Sequence, residues 1–320
     1  MRIVALVPGG IGDQILFFPT LDDLKKSYPA AEIDVVVEPR AKGAYRVSQA
    51  VSEVIPFDFK DRNSPADWAN LLGVLRDRYY DIAISLGSNW GVGLLLWLTG
   101  TPVRIGYESG FGNTFLTRSV PLKEEQYAAH MYHDLLSGLD ITTPCPPVSV
   151  QVPKVDIDWA DGERNRLGLG DAGYVLIHGG SSQLAKDKGI DKLYPVDHWT
   201  AIIRDFQSRQ PDLPLVVVEG DDDTDVVAAL TQSCPGVKVT HPSDLGKLAA
   251  IIAGANLMLC TDSAPMHLAV ALKVYTLALF GPTDPKKLLP QDDKFQGIAS
   301  PTNRMSDLSP DSVLKMVWGA

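Results

Sequence analysis

The sequence predicts an α/β protein of two Rossmann-like domains with a cleft between them, and three features predict it. Short apolar runs recur along the chain as unbroken stretches rather than as alternating apolar and polar residues. That is the pattern of parallel strands buried on both faces. Amphipathic stretches separate the runs, as crossover helices between parallel strands require. A break at Pro144–Pro153 holds four prolines in ten residues, and proline disfavours both helix and central strand. The chain has 320 residues, which suits two domains of about 100–200 residues each.

The elements follow in order. Ile3–Val7 is a buried strand, and a glycine turn leads into a helix over about Gln14–Ser27, closed by Pro29. Ile33–Val37 and Val54–Phe57 are the next strands, Pro65–Tyr79 is helical, and Ile82–Leu86 and Val103–Gly106 complete the first set. After the proline break the alternation restarts with strand Tyr174–His178 and helix Pro195–Gln210. Strand Leu215–Glu219, helix Asp223–Ser233 and helix Leu245–Ala253 come next. Strand Leu257–Cys260, helix Ser263–Leu272 and strand Tyr275–Phe280 end the second set, and Asp311–Trp318 is a last amphipathic segment.

Composition excludes several function classes. The net charge is −10; residues 1–155 carry 14 basic and 17 acidic groups, and the remainder 15 and 22. Neither half offers the basic footprint that nucleic acid needs, so no nucleic-acid partner is expected. Cys145, Cys234 and Cys260 are far apart and lack metal-site spacing, which points to a reducing compartment. The longest uncharged apolar run, about Val92–Leu98, is far short of the ~20 residues that span a bilayer. Attachment to a membrane surface stays open.

In open α/β sheets, ligands bind beyond the carboxyl ends of strands, and four candidate sites follow strands. Pro8-Gly9-Gly10-Ile11-Gly12-Asp13 follows the first strand. Its glycines allow close backbone approach, and a helix start offers free N–H groups to an anion. The third small residue of a dinucleotide fingerprint is missing, although Glu38 stands where a ribose-binding acid would lie. Nicotinamide binding is therefore one competing expectation, and a plain helix cap is another for Asp13.

His178-Gly179-Gly180-Ser181-Ser182, leading to Lys186, Lys188 and Lys192, has the makings of a phosphate cradle. A solvated loop is the structural alternative. The acidic run Asp221–Asp225 offers a carboxylate to ribose hydroxyls or to Mg²⁺, or merely caps a helix. Asp262-Ser263-Ala264-Pro265-Met266-His267 opens a helix whose N–H groups suit a diphosphate; here the alternatives are a capping Asp262 and a core His267. Phe280–Pro285 is a strand-end turn.

Together these residues resemble glycosyltransferase family 9, the ADP-heptose:lipopolysaccharide heptosyltransferases. The resemblance covers nearly the whole chain and rests on Pro8–Asp13 with Pro19-Thr20-Leu21, Lys192–Trp199, Asp262–His267 and Leu279–Pro285. It implies the GT-B fold, with two facing Rossmann-like domains and the active site in the cleft between them. The expected boundaries are 1–155 for the acceptor-side domain and 156–300 for the nucleotide-sugar domain. Residues 301–320 are expected to pack back toward the first domain.

The resemblance also implies inverting transfer of heptose or a similar sugar, with no cofactor and no metal. The donor is a nucleotide-diphosphate sugar, ADP-sugar favoured, and the acceptor a glycan or glycolipid such as lipopolysaccharide. Asp13 is similar to the family's general base. Gly10, Gly12, Ser181, Ser182, Lys192, Asp262, Ser263, Ala264 and His267 are similar in position to donor-binding residues, and Asp223 to the acid at the nucleoside. Ala264 stands where the family usually has glycine, and the segment from His178 to Lys192 is longer than usual. Leu16-Phe17-Phe18 places apolar residues on the acceptor side, where the lipopolysaccharide enzymes are more polar. The implied location is cytoplasmic, at the inner membrane's cytoplasmic face. A nucleotide-sugar epimerase and a binding relative without turnover are the alternatives.

Overall fold

The computed structural model describes residues 1–59, 63–170, 173–180, 190 and 192–319. The chain divides into two compact units, Met1–Gln151 and Val152–Ala320.

The first unit contains one six-stranded parallel sheet. Its strands are β1 (Arg2–Val7), β2 (Glu32–Val37), β3 (Glu53–Pro56), β4 (Ile82–Ser85), β5 (Val103–Tyr107) and β6 (Arg118–Val120). Their order is β3-β2-β1-β4-β5-β6. β1 lies at the centre, with Ile3 facing both Ile33 of β2 and Ile82 of β4. Its residues Ile3–Val7 are fully buried, which is why the run carries no polar alternation. At the amino end of the sheet the buried Asp34 accepts from Tyr80 at 2.6 Å and from Arg78 at 3.1 Å. Such pairing lets a carboxylate sit inside a strand layer.

The helices of this unit are α1 (Ile11–Ser27), α2 (Pro65–Asp77), α3 (Trp90–Thr99) and α4 (Ala128–His133). α1 buries Ile15, Leu16, Phe17, Phe18 and Leu21. Leu16, Phe17 and Phe18 are therefore core side chains, at most 2 % exposed, and do not line an acceptor surface as the sequence suggested. Pro19 sits inside α1 without ending it.

The second unit repeats the plan. Its strands are β7 (Val175–His178), β8 (Leu215–Val218), β9 (Lys238–Thr240), β10 (Leu257–Thr261), β11 (Tyr275–Phe280) and β12 (Phe295–Ala299). The order β12-β11-β10-β7-β8-β9 is the same winding as in the first sheet. In both, the order reverses beside the first strand, between β1 and β4 and between β7 and β10. These are the switch points where doubly wound sheets bind ligands.

The described helices are α5 (Lys154–Arg166), α6 (Val196–Arg209), α7 (Thr224–Ser233), α8 (Leu245–Ala253), α9 (Ala264–Ala271), α10 (Pro285–Leu288) and α11 (Pro310–Trp318). α11 belongs to the second unit. Val313 is fully buried in its core, Trp318 lies 4.9 Å from Phe206 of α6, and the Trp318 indole donates to Asp205 at 2.8 Å. Burial of a side chain such as Val313 contributes about 1.5–3 kcal/mol. Within the second unit, this last segment packs on α6.

Candidate functional site

The first cluster stands at the β1/β4 switch point. β1 ends at Val7, and the chain turns through Gly9, at φ +138°, to Gly10, the residue that caps α1. Asp13 is in the first turn of α1. Its Oδ2 accepts the Gly10 N–H at 2.8 Å, and its Oδ1 accepts the Tyr132 hydroxyl at 3.0 Å. A Cβ on Gly9 would come within 2.3 Å of Asp13 Oδ2, so glycine is what lets the carboxylate fold back on the turn.

The capping bond is present, then, but it uses one oxygen; the other is held by a tyrosine from α4. Tyr132 is pushed well above the ordinary tyrosine range by burial and then by the Asp13 charge, so it stays a neutral donor. Beneath them Gln14 is fully buried. It donates to the Val7 carbonyl at 3.0 Å and accepts from Tyr45 at 2.7 Å. Gly12 lies within α1. Glu38 is buried and accepts the Phe59 N–H at 3.3 Å.

The second cluster stands at the β7/β10 switch point. β7 ends at His178, whose Nε2 lies 3.1 Å from Asp223 Oδ2 and whose Nδ1 lies 3.3 Å from Ser263 Oγ. The Ser263 hydroxyl also donates to the Thr261 carbonyl at 3.1 Å. His178 thereby ties together the ends of three strands, β7, β8 and β10.

Gly179 and Gly180 follow, and neither tolerates a side chain. A Cβ on Gly179 would meet Trp199 Nε1 at 2.5 Å, and one on Gly180 would meet Asp223 Oδ1 at 1.8 Å. The Thr261 hydroxyl donates to the Gly180 carbonyl at 2.9 Å. Ser181, Ser182, Lys186 and Lys188 lie outside the described residues.

Lys192 is not a solvated loop lysine. Its Nζ lies 2.6 Å from Asp262 Oδ2, which also accepts from Thr283 at 2.7 Å. Asp262 is 5 % exposed and does not cap a helix. Ser263 is the N-cap of α9 without using its side chain to cap, Ala264 is the first helical residue, and His267 is buried in the same helix. Gly-to-Ala at position 264 is accommodated because the residue is helical.

In the acidic run, Asp223 turns inward to His178, while the Asp221 side chain is fully exposed near His241. Asp223 does not cap α7 with its side chain, and its Oδ1 is buried without a hydrogen-bond partner among the described residues. That oxygen is an acceptor still open to a hydroxyl donor. Two open concavities, of about 540 Å³ and 300 Å³, lie beside the amino ends of the strands, near Tyr80–Asp81 and near Leu257 and Tyr275. They are at the opposite sheet ends from both clusters.

Sequence reasoning did not single out Tyr132, His178 or Thr283 as site residues. His178 and Thr283 sat in motifs already noted and could have been found from their strand-end positions. Tyr132 is 119 residues from Asp13, and no local pattern connects them.

Residues 68–317 match the family model described as glycosyltransferase family 9 (heptosyltransferase). Lipopolysaccharide heptosyltransferase 3 of Escherichia coli is 29 % identical, covering 85 % of this chain and 81 % of that protein. A photosynthetic NDH subunit of subcomplex B from Arabidopsis thaliana chloroplasts is 25 % identical, covering 98 % of this chain and 72 % of that one. Among solved structures, the E. coli heptosyltransferase WaaC with ADP-2-deoxy-2-fluoro heptose superposes with a TM-score of 0.77 at 20 % identity, covering 100 % of this chain and 99 % of the other.

Proposed function

The chain belongs to glycosyltransferase family 9, the heptosyltransferases, and is a glycosyltransferase with a GT-B fold; from that premise we propose that it transfers a heptose or similar sugar, with inversion, from an ADP-sugar to a hydroxyl of lipopolysaccharide or another glycan. The observation that carries the donor half is the cluster at the β7/β10 switch point: Lys192, the α9 start and the open Asp223 oxygen. Among the described residues, Lys192 meets Asp262 with one of its three N–H donors, and the N–H groups at Ser263 and Ala264, at the α9 start, would face a diphosphate. Asp223 Oδ1 would accept from a ribose hydroxyl. Gly10 and Gly12 would let a donor phosphate or acceptor approach the α1 start. Ser181, Ser182 and His267 complete the proposed donor set.

The first unit would supply the base. Asp13 Oδ1 or Oδ2 takes the acceptor hydroxyl proton as the acceptor oxygen bonds to the anomeric carbon. The bond from that carbon to the diphosphate breaks on the opposite face, and the nucleoside diphosphate leaves with the electron pair. A positioned base contributes about 10²–10⁴-fold. Lys192 and the α9 N-terminus stabilise the charge that grows on the leaving diphosphate, a task that positioned donors perform without reorganisation. The cytoplasm, at the inner face of the membrane, is the location that this acceptor class implies. No described helix is long and apolar enough to cross a membrane.

Thermal-shift titration with ADP, GDP, UDP, their sugar conjugates and NAD tests the reading. Selective stabilisation by ADP and an ADP-sugar supports it. Stabilisation only by another nucleotide moves the donor elsewhere, and a sugar nucleotide altered without acceptor points to an epimerase. A second reading, binding without turnover, is favoured by one comparison, since a relative of similar identity is a subunit of a photosynthetic complex. Acceptor-dependent nucleotide release separates the two.

A further inference from the structure

Among the described residues, the first unit exposes its large apolar side chains in one place. Apart from Met1 they are Tyr79, Trp90, Trp97, Leu98 and Phe111; Trp90, Trp97 and Leu98 lie on α3, Phe111 on a turn packed against it, and Tyr79 just after α2. α3 reads WGVGLLLWLT, with no charge. One side buries Gly93, Leu95 and Leu96. The other presents Trp90 and Trp97, each more than half exposed, where a surface helix ordinarily carries polar residues.

The patch is built, not scattered. Phe111 belongs to a 3₁₀ turn, Gly110–Phe115, that presses on α3 through two glycines. A Cβ on Gly93 would come within 3.1 Å of the Gly112 carbonyl, and one on Gly112 within 3.3 Å of the Trp90 Cα. Phe115 then joins Phe111 at 5.6 Å to Trp97 at 6.1 Å. At the far end, Arg76 donates to the Leu98 carbonyl at 3.4 Å and leads to Tyr79, 85 % exposed. The strip therefore runs the length of α3.

Charge selects the occupant. Residues 82–103 contain no Asp, Glu, Lys, Arg or His, and residues 76–118, which span the strip, hold Arg76, Arg78, Arg104 and Arg118 against Asp77, Asp81 and Glu108, in a chain of net charge −10. The Arg104 guanidinium is anchored on the Phe115 and Thr101 carbonyls at 2.8 and 2.6 Å. An anionic surface repels most of this protein and admits this face. Trp and Tyr favour the headgroup level of a bilayer, where ring and polar tip are both satisfied. A ten-residue helix is about 15 Å long, half the hydrocarbon thickness of about 30 Å, so it lies in the interface rather than across it.

We propose that the α3 strip seats the protein on an anionic lipid bilayer, with Trp90, Trp97 and Phe111 at headgroup depth. It assigns a surface to the membrane-face location of the proposed function and rests on that reading for its biological setting, while lipid binding without nucleotide is read apart from sugar transfer. α3 begins beyond the carboxyl end of β4, next to β1, so one end of the strip and the Asp13 turn share an end of the same sheet.

The test is flotation of the full chain with phosphatidylcholine vesicles, with and without phosphatidylglycerol, in the absence of nucleotide. The wild type is expected to float with the anionic vesicles and to have its tryptophan fluorescence quenched by brominated lipid. The variant Trp97→Gln/Phe111→Gln should lose about tenfold or more in partitioning with unchanged circular dichroism. Trp90→Phe, a milder change, should retain flotation but lose part of the quenching. No flotation with any vesicle, or equal flotation of wild type and the double variant, overturns the proposal. Self-association of the wild type in sedimentation that the double variant abolishes, without vesicle binding, would also overturn it and give the strip to a second copy. None of these outcomes bears on donor binding, which the thermal-shift titration reads separately.

Discussion

The ammonium of Lys192 rests on Oδ2 of Asp262 at 2.6 Å, and the Thr283 hydroxyl donates to the same oxygen at 2.7 Å. The lysine therefore neutralises a buried carboxylate before it meets any phosphate. Lys192→Ala would remove a phosphate contact and also leave Asp262 negative beside the α9 start. Affinity for ADP should fall about tenfold or more by calorimetry. Adding Asp262→Asn to that variant should restore part of it. Unchanged affinity in Lys192→Ala would remove this lysine from the donor site.

His178 joins Asp223 and Ser263 at the ends of three strands. In His178→Ala the Asp223 carboxylate stays buried, Oδ2 loses its His178 partner, and Oδ1 has none among the described residues. The cost should be roughly 1–3 kcal/mol in urea unfolding, and His178→Ala/Asp223→Ala should recover some of it. An unchanged unfolding midpoint in the single variant would show that the pair does not hold the loops.

Gly9→Ala tests the turn beneath the candidate base. A methyl group there meets Asp13 Oδ2 at 2.3 Å, in a backbone conformation at φ +138° that L side chains rarely adopt. Turnover should fall toward that of a variant lacking the base, while donor affinity in the second unit is kept. Full activity in Gly9→Ala would mean that the Asp13 carboxylate need not fold onto Gly10.

A buried cluster behind α1 gives a pH dependence. Burial raises the Asp23 carboxyl, but hydrogen bonds from Thr143 and His133, with the charges of His133 and Lys26, outweigh it and hold Asp23 below the ordinary carboxylate range. A carboxylate depressed on folding contributes stability above its unfolded pKa, about 4, and loses it as pH falls through the lower folded value. Asp23→Asn should therefore be less stable than wild type at neutral pH, with the gap closing below about pH 4. A gap of constant size across that range, by urea unfolding, would contradict the linkage.

Much of the fold was legible because buried strands cannot hide: Ile3–Val7 and Leu215–Val218 are apolar throughout. The strands missed were β6, β9 and β12, at or near sheet edges, short and partly exposed, so their sequences carry Arg118, Lys238 and Gln296. Glycine and aspartate at strand ends gave away the Gly9–Asp13 and Asp262–Ser263 turns. The misreading of Leu16-Phe17-Phe18 came from following chain proximity to Asp13, when the helix turns those side chains into the core. The apolar run Val92–Leu98 was noticed only as too short to span a bilayer. Which of its residues face outward depends on the contact of Gly93 with Gly112, which no periodicity reveals.

Acceptor-dependent release of ADP from an ADP-sugar, measured for wild type and Asp13→Asn with donor affinity determined on the same samples, tests the central claim most directly. The account predicts release by the wild type only with acceptor, a loss of about a hundredfold or more in Asp13→Asn, and similar donor affinity in both. Wild-type turnover by Asp13→Asn would contradict the assignment of the base, and a donor that binds but is never consumed with acceptor would contradict the transferase itself.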